Sequence, residues 1–341
     1  MKVGICGYGG MGRMHAQLVT KQDGVKLVAV ADVQPDMRAR AESELGVQTF
    51  ASGEALIDAG VAEVVFVCTP TYLHAPLSIR ALKCGAHVFS EKPMGLNPQQ
   101  CSAMIEAAQR HGKMLTIGQV LRFWPEYTYL KQAIDSGRFG QLQSLSMTRI
   151  GGVSIGFERW FLDEKRGGMQ IFDRHIHDTD LTLWLLGLPD AVQAFGYERD
   201  ARTEGGIVHS FTRYIYEGKN LAVSAEGSAD FPAKYPFTMG YRAVFDNAAI
   251  DYSNRQTPTL KLYTSGEPET PELPQPLGEV QSGLNITAAG GYFLEQVYFF
   301  DCIRKGRLPQ IVTPESARDT VRVVRAEIRS ARRDGARVRL A

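Results

Sequence analysis

The chain has 341 residues, of which 44% are hydrophobic, and its formal net charge is +1. This length predicts a sizeable core and two domains, while the balanced charge argues against a nucleic acid or an anionic membrane surface as partner. No apolar stretch is long enough to span a bilayer, and the first residues form a predicted strand rather than a signal peptide. We therefore expect a cytoplasmic protein.

The cysteines and the C-terminal arginines carry no signal for a metal site or a strong electrostatic partner. The five cysteines are scattered and form no C-x-x-C pair, which predicts small buried side chains rather than disulfides or a thiolate metal site. We expect no metal. The arginines are interleaved with apolar and acidic residues at helical spacing, which predicts a solvated helix face, with a basic patch as the alternative. They are Arg318, Arg322, Arg325, Arg329, Arg332 and Arg333.

Short β-branched segments alternate with helix-period segments over the first 120 residues. The predicted strands are 2–6, 26–31, 47–50, 63–68, 86–89 and 113–117. The predicted helices between them include 37–45, 76–83 and 98–111, and each ends at or near a glycine. This alternation predicts an α/β fold with a doubly wound parallel sheet, which we assign to residues 1–120.

Glycines follow the first predicted strand at the spacing G-x-G-x-x-G. Gly7 permits a tight turn, Gly9 lets the backbone approach a pyrophosphate, and Gly12 lets the next helix pack closely on the strand. The preceding strand, the amphipathic stretch after the glycines and an acidic residue twenty positions after Gly12, Asp32, supply the context that the motif requires. The pattern predicts a dinucleotide-binding domain.

Asp32 also bears on which dinucleotide is bound. A carboxylate at the end of the second strand accepts hydrogen bonds from ribose hydroxyls and repels a 2′-phosphate, which favours NAD over NADP. Two alternatives stay open, since Asp32 could simply start a turn before Pro35 and the nearby Arg38 could accommodate a phosphate.

The pattern changes after residue 120. One more helix is predicted over 125–136, followed by strands over 143–150, 191–199, 207–216, 220–229, 241–245, 249–252 and 259–263. A proline-rich surface loop is predicted over 266–278, and helices over 292–305 and 314–333. These elements predict a second α/β domain, residues 121–341, with an open, mostly antiparallel sheet, and the last helix could pack back on the first domain.

Lys92 follows the fifth predicted strand, in the segment Ser90-Glu91-Lys92-Pro93. Ligands bind at the carboxyl ends of parallel strands, so a lysine here could donate a hydrogen bond to a substrate oxygen or assist proton transfer beside a nicotinamide. Glu91 could hold the ammonium in place. The alternative is a surface Glu-Lys pair before a proline turn.

Acids and histidines are concentrated between Asp173 and Asp180. On a helix Asp173 and His177 share a face, so the carboxylate could fix an imidazole that exchanges a proton with substrate. Asp180 lies on the same stripe. His175 would point elsewhere, and the two histidines would chelate a metal only if the segment were extended. A structural histidine network is the alternative.

Taken in order, these motifs resemble the Gfo/Idh/MocA dehydrogenases, the family of glucose-fructose oxidoreductase and inositol dehydrogenase. The resemblance covers nearly the whole chain. It is carried by residues 7–15, by Cys68-Thr69-Pro70 with His74, by Glu91-Lys92-Pro93, by Arg122-Phe123 and by the segment from Gly167-Gly168 to Asp180. It implies a Rossmann domain, a second domain whose open sheet mediates homo-oligomerisation as a dimer or tetramer, and oxidation of a ring hydroxyl by NAD(P).

The resemblance also implies roles for individual residues. Lys92, Asp173 and His177 match the catalytic positions, and Arg122 and Trp160 would lie near the nicotinamide or the substrate. His175 is a departure, because many members carry a small residue there; the imidazole could contact the substrate or narrow the choice of polyol. The expected cofactor-binding residues are Gly7, Tyr8, Gly9, Gly10, Met11, Gly12, Asp32, Thr69, Pro70, His74, Glu91 and Lys92.

We therefore expect an NAD-dependent oxidoreductase that acts on a ring secondary alcohol of a sugar, a sugar derivative or an inositol. One alternative is an NAD-retaining glycoside hydrolase that works through transient oxidation. Another is a non-catalytic NAD-sensing regulator, which the presence of Lys92 and His177 disfavours. In the first reading, the lysine and the histidine act together from separate halves of the chain.

Overall fold

The computed structural model describes residues 1–152, 155–198, 206–274 and 290–340. Up to residue 123, strands and helices alternate. The strands are β1 (Lys2–Cys6), β2 (Lys26–Ala31), β3 (Gln48–Phe50), β4 (Val64–Val67), β5 (His87–Ser90) and β6 (Leu115–Ile117). The helices are α1 (Gly10–Val19), α2 (Pro35–Leu45), α3 (Gly53–Asp58), α4 (His74–Lys83) and α5 (Pro98–His111).

Local chemistry explains where these helices start and stop. Helix α5 begins after Asn97, whose side chain accepts a hydrogen bond from Gln100 N, and it has proline in its first turn. It ends at Gly112, which adopts the left-handed conformation that favours glycine. Helix α2 likewise begins at a proline and ends at a left-handed glycine, Gly46. The sequence prediction missed only the six-residue helix α3 in this region.

All strand pairs of the first sheet are parallel, in the order β3-β2-β1-β4-β5-β6. Strands β1, β4 and β5 are buried almost throughout, as expected for a sheet covered on both faces. Because the strands are parallel, their carboxyl ends meet at one edge. That edge carries the residues that follow the strands, including Gly7, Asp32, Thr69, Lys92 and Gln119.

The remaining described chain contains a second sheet and five more helices. The strands are β7 (Leu142–Gly152), β8 (Ala191–Glu198), β9 (Ile207–Ile215), β10 (Ala222–Phe231), β11 (Thr238–Phe245), β12 (Ala249–Ser253), β13 (Leu260–Tyr263) and β14 (Val338–Arg339). The helices are α6 (Pro125–Ser136), α7 (Glu164–Gly167), α8 (Ile176–Leu186), α9 (Gly290–Lys305) and α10 (Pro314–Ala331).

The second sheet has the order β13-β12-β11-β7-β10-β9-β8-β14. Its neighbours are antiparallel except for β7 and β10, which are parallel. Along β7 the buried residues Leu145, Met147 and Arg149 alternate with partly exposed ones, so one sheet face is buried. The fold class is confirmed: a parallel doubly wound sheet and a second, mostly antiparallel sheet.

Contacts group the chain into two units. The first contains residues 1–123 and the described residues 290–318, and the second contains 124–274 and 319–340. The first break lies close to residue 120, whereas residues 290–318, assigned from the sequence to the second domain, have their contacts within the first unit. Helix α9 is the reason, because Phe299 and Phe300 join the core formed by β1 and β4, and Tyr292 packs against α1.

Two sequence-based expectations extend past the described chain. The predicted strand 191–199 ends at residue 199, and the predicted loop 266–278 includes residues 275–278; both positions lie outside the described residues. Strand β14, which pairs with β8, has only two residues and was not predicted. Among the helices described above, none is long and apolar enough to cross a membrane.

Candidate active site

The glycine-rich loop between β1 and α1 has the shape that a pyrophosphate requires. Gly7 has a φ of +91°, and a Cβ there would lie 2.6 Å from the Cys68 carbonyl oxygen. A Cβ on Gly12 would lie 1.8 Å from the Gly7 carbonyl oxygen, so α1 packs directly on the loop. By contrast, a Cβ on Gly9 would meet nothing within 4 Å. The loop is therefore tight on its protein side and open at Gly9, which fits a dinucleotide phosphate beside the α1 N-terminus.

Asp32 lies directly beside this loop. Its Oδ2 accepts a hydrogen bond from Tyr8 N at 2.8 Å, and its Oδ1 accepts one from Gln34 N at 2.9 Å. Each carboxylate oxygen keeps a lone pair, so the side chain can still accept a ribose hydroxyl. Arg38 donates to the Asp32 carbonyl oxygen at 2.9 Å. The NAD-favouring carboxylate and a potential phosphate-binding guanidinium are thus neighbours.

The other predicted loop residues differ in exposure. The Tyr8 ring is buried, and its hydroxyl donates to Glu44 Oε2 at 2.9 Å, so this residue reaches a ligand only through its backbone. Gly10 is exposed and Met11 is partly exposed in the first turn of α1. These two residues are therefore placed to cover a phosphate from the loop.

His74 joins the ends of β4 and β5. Its Nε2 lies 2.8 Å from the Thr69 carbonyl oxygen, and its Nδ1 lies 2.6 Å from the carbonyl oxygen of Pro93. Burial lowers the pKa of His74, against the effect of these two carbonyl oxygens, so the ring is neutral at pH 7 and donates from one nitrogen at a time. Within the described chain, the buried Thr69 hydroxyl has no hydrogen-bond partner, which suits a donor reserved for a ligand. Pro70 lies between Thr69 and the short 3-10 turn Thr71–Leu73 that leads to His74.

Lys92 follows β5 and is held through its backbone. Glu91 is 4% exposed; its Oε2 accepts a hydrogen bond from Lys92 N at 3.0 Å, and its Oε1 lies 2.8 Å from His15 Nε2. The Gln296 amide nitrogen lies 2.8 Å from His15 Nδ1, so Nδ1 accepts and Nε2 carries the proton that is donated to Glu91. A continuous hydrogen-bonded path therefore joins α9, α1 and the turn that carries Lys92.

A second carboxyl group, Glu295, lies beside this path. It is 3% exposed, and among the described residues neither of its oxygens has a hydrogen-bond partner. Burial, and then the charge of Glu91, raises the pKa of Glu295 well above its usual value. Burial therefore favours the neutral, protonated form of Glu295.

Two residues extend the edge beyond β6. Gln119 is 1% exposed, and neither polar atom of its amide has a hydrogen-bond partner in the described part of the chain. Such an amide at the carboxyl end of a parallel strand is a candidate cofactor ligand. Arg122, predicted near the nicotinamide or substrate, is 4% exposed and donates to the Ile311 carbonyl oxygen at 2.7 Å.

In the second unit, the predicted catalytic segment is helical but irregular. Ile171–His175 forms a π-helical turn that continues into α8. Asp173 and His177 are partly exposed, whereas His175 and Asp178 are fully buried. The segment therefore presents the predicted acid and base on its accessible side, and π-helical turns of this kind occur frequently at functional sites.

The buried side of the same segment is anchored by charged groups. Arg149 on β7 donates to both oxygens of Asp178, at 3.0 and 3.1 Å, and to the Tyr127 hydroxyl at 3.2 Å. Asp180 is 1% exposed and accepts from Thr320 Oγ1 at 3.0 Å. Asp180 thus belongs to the buried side and not to the accessible stripe of Asp173 and His177, because its α10 partner draws it inward.

The other two predicted substrate residues have different surroundings. His175 is 0% exposed and its Nε2 lies 3.0 Å from Glu327 Oε2. Trp160 is partly exposed and stacks on Phe161 with ring centroids 3.7 Å apart. Among the described residues, no group of three or more His, Cys, Asp or Glu side chains is placed to hold a metal ion.

Sequence reasoning missed several residues of these networks. His15 lies three positions after Gly12, within residues 7–15 that carry the family resemblance, so its spacing on α1 could have indicated that it faces the sheet. Gln119 could have been found as the residue at the end of the sixth strand. Gln296, Glu295 and Glu327 had no local signal, since their partners are far away in the sequence.

Comparison with known proteins agrees with this architecture. Residues 1–119 match the profile described as "Oxidoreductase family, NAD-binding Rossmann fold", and residues 127–251 match the one described as "GFO/IDH/MocA C-terminal domain". Together these matches cover most of the chain, and they divide it near the first break between the two units. The description of the first profile names NAD as the cofactor that this Rossmann fold binds.

Curated relatives include proteins of several activities. The chain is 34% identical to UDP-N-acetylglucosamine 3-dehydrogenase of Acidithiobacillus ferrooxidans over 277 residues, 80% of each protein. It is 28% identical to scyllo-inositol 2-dehydrogenase (NAD(+)) of Bacillus subtilis over 321 residues, 92% of this chain and 89% of the relative. It is 31% identical to 2,7-anhydro-N-acetylneuraminate hydratase of Mediterraneibacter gnavus over 229 residues, 66% of this chain and only 58% of that relative.

A solved structure shows the same fold over the full length. The WlbA dehydrogenase from Bordetella pertussis, in complex with NADH and UDP-GlcNAcA, superposes with a TM-score of 0.84, covering 100% of this chain and 99% of that one. At 20% identity this likeness shows the fold alone. With both domain profiles matched in order, the chain belongs to the Gfo/Idh/MocA oxidoreductase family.

Proposed function

We propose that this protein is an NAD-dependent dehydrogenase that oxidises a secondary hydroxyl on the ring of a sugar, a sugar derivative or an inositol. The observation that carries the proposal is the helical segment 171–180 of the second unit, which keeps Asp173 and His177 partly exposed while His175 and Asp178 are buried and paired. Buried polar groups have to be paired to be stable, and an apolar packing of the same segment would need no such network, so the arrangement favours a functional reading of the segment.

Three side chains carry the proposed proton chemistry. His177 accepts the proton of the substrate hydroxyl, and Asp173, one turn earlier, orients the imidazole. Lys92, at the carboxyl end of β5, donates a hydrogen bond to the same oxygen. When bound, NAD supplies the acceptor for the hydride that leaves the ring carbon. The alcohol thereby becomes a ketone, and its two hydrogens leave separately as a hydride and as a proton on His177.

The substrate class rests on the names of relatives. Two of those described above are named as dehydrogenases of an inositol and of a nucleotide-linked sugar. A cyclic compound with several hydroxyl groups is common to both names. In this proposal Arg122, Trp160 and His175 contribute to the choice among such rings, either by contacting the substrate or by shaping the surface around it.

The test is a substrate panel with matched variants. Inositols, aldoses, sugar acids and nucleotide sugars are assayed for NADH formation, with NADP in parallel. Lys92→Met and His177→Asn should each lower kcat on the active substrate by about a hundredfold or more and leave NADH affinity within about threefold. The controls are Lys83→Met and His111→Asn, both exposed in last helical turns. Full turnover in both active-site variants would exclude these residues from the reaction.

A second candidate is a reaction without net oxidation, as in the NAD-retaining glycoside hydrolase considered above. One relative is named as a hydratase, and a hydratase reaction has no net redox change. That name supports this second candidate. Such an enzyme would convert substrate while NADH stays at or below the enzyme concentration. Stoichiometric accumulation of NADH with product would exclude it.

We also propose that the protein forms a homo-oligomer through the second sheet. Phe195 on β8 and Phe211 on β9 are paired in register and are 56% and 53% exposed, next to the half-exposed Tyr197. Exposed aromatic side chains on one sheet face are typical of protein contacts. Sedimentation should show a dimer or tetramer that Phe211→Glu dissociates. A monomeric wild-type protein at micromolar concentration would refute this part.

A further inference from the structure

The helical segment that carries Asp173 and His177, which joins the π-helical turn to α8, packs against a buried polar cluster. His175 comes from that turn, Thr179 from the next turn of α8, Glu327 from α10, and Thr212 and Tyr214 from β9. None of these five residues is more than 2% exposed. The cluster therefore links four elements of the second unit: the π-helical turn, α8, α10 and β9.

The distances within the cluster are those of hydrogen bonds and an ion pair. Glu327 has two partners on different oxygens. His175 Nε2 lies 3.0 Å from its Oε2, and Thr179 Oγ1 donates to its Oε1 at 3.0 Å. The Thr179 hydroxyl lies 2.9 Å from the Tyr214 hydroxyl, and His175 Nε2 lies 3.1 Å from Thr212 Oγ1. One carboxylate thus pairs with two consecutive turns of the same helical segment, on either side of His177.

The sheet is shaped around the His175 ring. Gly227 on β10 faces it, and a Cβ at that position would lie 2.7 Å from His175 Cβ and 2.9 Å from its Nδ1. The carbonyl oxygen of Gly227 accepts from Gln170 Nε2 at 3.0 Å, which ties the residue before the π-helical turn to the same strand. An imidazole fits here only because the strand carries no side chain at residue 227.

The charges around His175 come from several elements. Burial alone would lower its pKa, but Glu327 on α10 outweighs this effect and Asp178 on α8 adds to it, against the opposing charge of Arg149 on β7, so the pKa is raised. The Tyr214 hydroxyl on β9 is a further titratable neighbour, 3.4 Å from His175 Nε2. Replacing either His175 or Glu327 removes the ion pair and leaves the other side chain buried without it. The turn that contains His175 is then less stable in its present geometry.

We propose that His175 and Glu327 are positioning residues, whose buried pair sets the geometry of the π-helical turn and thereby the orientation of Asp173 and His177. The inference rests on the proposed function, because it assigns catalysis to those two residues. His175 acts through the turn and not by contacting the substrate. An error of about 1 Å in a reacting group can reduce turnover a hundredfold, so a pair beneath the turn can control the rate.

The experiment is a cycle of His175→Gln, Glu327→Gln and the double variant, with Glu198→Gln as the control. Glu198 is an exposed carboxylate whose Oε1 lies 2.8 Å from Arg332 Nε, so its replacement tests surface charge in the same unit. Each single variant should lower kcat about tenfold or more with NADH affinity unchanged. The double variant should recover to within about threefold of wild type, because two amides can hydrogen-bond to each other.

A second readout does not depend on turnover. Imidazole NMR signals of His177 should shift in both single variants and return in the double variant, and Glu327→Gln should lower the pKa of His175. Unchanged His177 signals, or a double variant as slow as the product of the single effects, would overturn the proposal. If the wild type binds NADH but oxidises nothing in the substrate panel, the proposed function fails, and the NMR cycle still decides whether the pair positions His177.

Discussion

His15 Nε2 lies 2.8 Å from Glu91 Oε1, which connects the helix after the glycine-rich loop to the residue immediately before Lys92. His15 is 0% exposed and packs against Phe66 and Phe89, with ring centroids 5.5 and 5.1 Å away. The helix that follows the predicted dinucleotide-binding loop and the turn that carries the proposed catalytic lysine are thus joined by one buried hydrogen bond.

Replacing His15 should therefore affect both stability and catalysis. His15→Phe keeps an aromatic ring among its neighbours but leaves the buried Oε1 of Glu91 without the His15 donor, which should lower the free energy of unfolding by about 2 kcal/mol. The Lys92 turn should also be less well held, so kcat should fall. Urea denaturation and steady-state kinetics measure the two effects. His111→Phe, on an exposed helix end, is the control, and equal stability of the His15 variant and wild type would contradict the prediction.

Gly9 should be required for binding the dinucleotide and not for folding. Its Cβ position is empty within 4 Å and its φ is −71°, so Gly9→Ala should change the free energy of unfolding by less than about 0.5 kcal/mol. A methyl group there would still block the approach of a pyrophosphate, raising the Kd for NADH by about tenfold or more. Fluorescence titration with NADH and thermal unfolding test this.

Gly12→Ala provides the contrast to Gly9→Ala. Its Cβ would lie 1.8 Å from the Gly7 carbonyl oxygen, so this variant should lose stability as well as NADH binding. A Gly9→Ala protein that binds NADH as tightly as wild type would show that the backbone at residue 9 does not approach the phosphates.

Asp32 should control the preference for NAD. Asp32→Ser removes the carboxylate that we propose accepts the ribose hydroxyls and leaves Arg38 in place. We therefore expect kcat/KM to fall about tenfold with NAD and the preference to shift toward NADP by at least as much. Parallel kinetics with both coenzymes measure the shift. Asp36→Ser, in the first turn of α2, is the control. An unchanged ratio would mean that Asp32 serves only its bonds to Tyr8 and Gln34.

Glu44 should make part of the stability sensitive to acid. Hydrogen bonds, first from Arg13 and then from Arg40 and Tyr8, lower its pKa from 4.5 to about 2, although partial burial opposes them. Because the folded-state pKa is depressed, this contribution is present above the unfolded pKa and is lost as the pH falls from 4.5 to about 2.

Glu44→Gln should therefore flatten the fall in the free energy of unfolding across that acid interval and lower stability at pH 7. Urea denaturation at a series of pH values measures both changes. Glu106→Gln, an exposed carboxylate on α5, should leave the profile unchanged. A Glu44 variant with the same acid profile as wild type would show that Arg13 and Arg40 contribute nothing through this carboxylate.

The first sheet could be predicted closely because its signals are local. Strands buried on both faces appear as continuous apolar runs, and the ends of α2 and α5 are marked by Pro35, Asn97, Gly46 and Gly112. Helix α3 has six residues and therefore too little periodicity to be recognised. In the second sheet every strand except the two-residue β14 was predicted, but the parallel pairing of β7 with β10 depends on the path of the chain between them.

The active-site predictions had a similar limit. Spacing indicated that Asp173 and His177 share a helix face, but it also placed Asp180 on that stripe, and Thr320 on α10 instead holds Asp180 on the buried side. The pairing of His15 with Gln296 joins residues 281 positions apart, and that of Thr179 with Glu327 joins residues 148 positions apart. No periodicity within a window of one helix contains that information.

The amino-acid sequence by itself determined the class of both sheets, the glycine-rich turn and the order in which Asp32, Lys92, Asp173 and His177 follow the elements that carry them. These features depend on a residue and its near neighbours, through backbone conformation, capping and apolar periodicity. Only the tertiary structure decided that α9 supplies Gln296 to His15 and that α10 supplies Glu327 to His175, because these contacts form when distant segments return to the same core and bury their polar groups together.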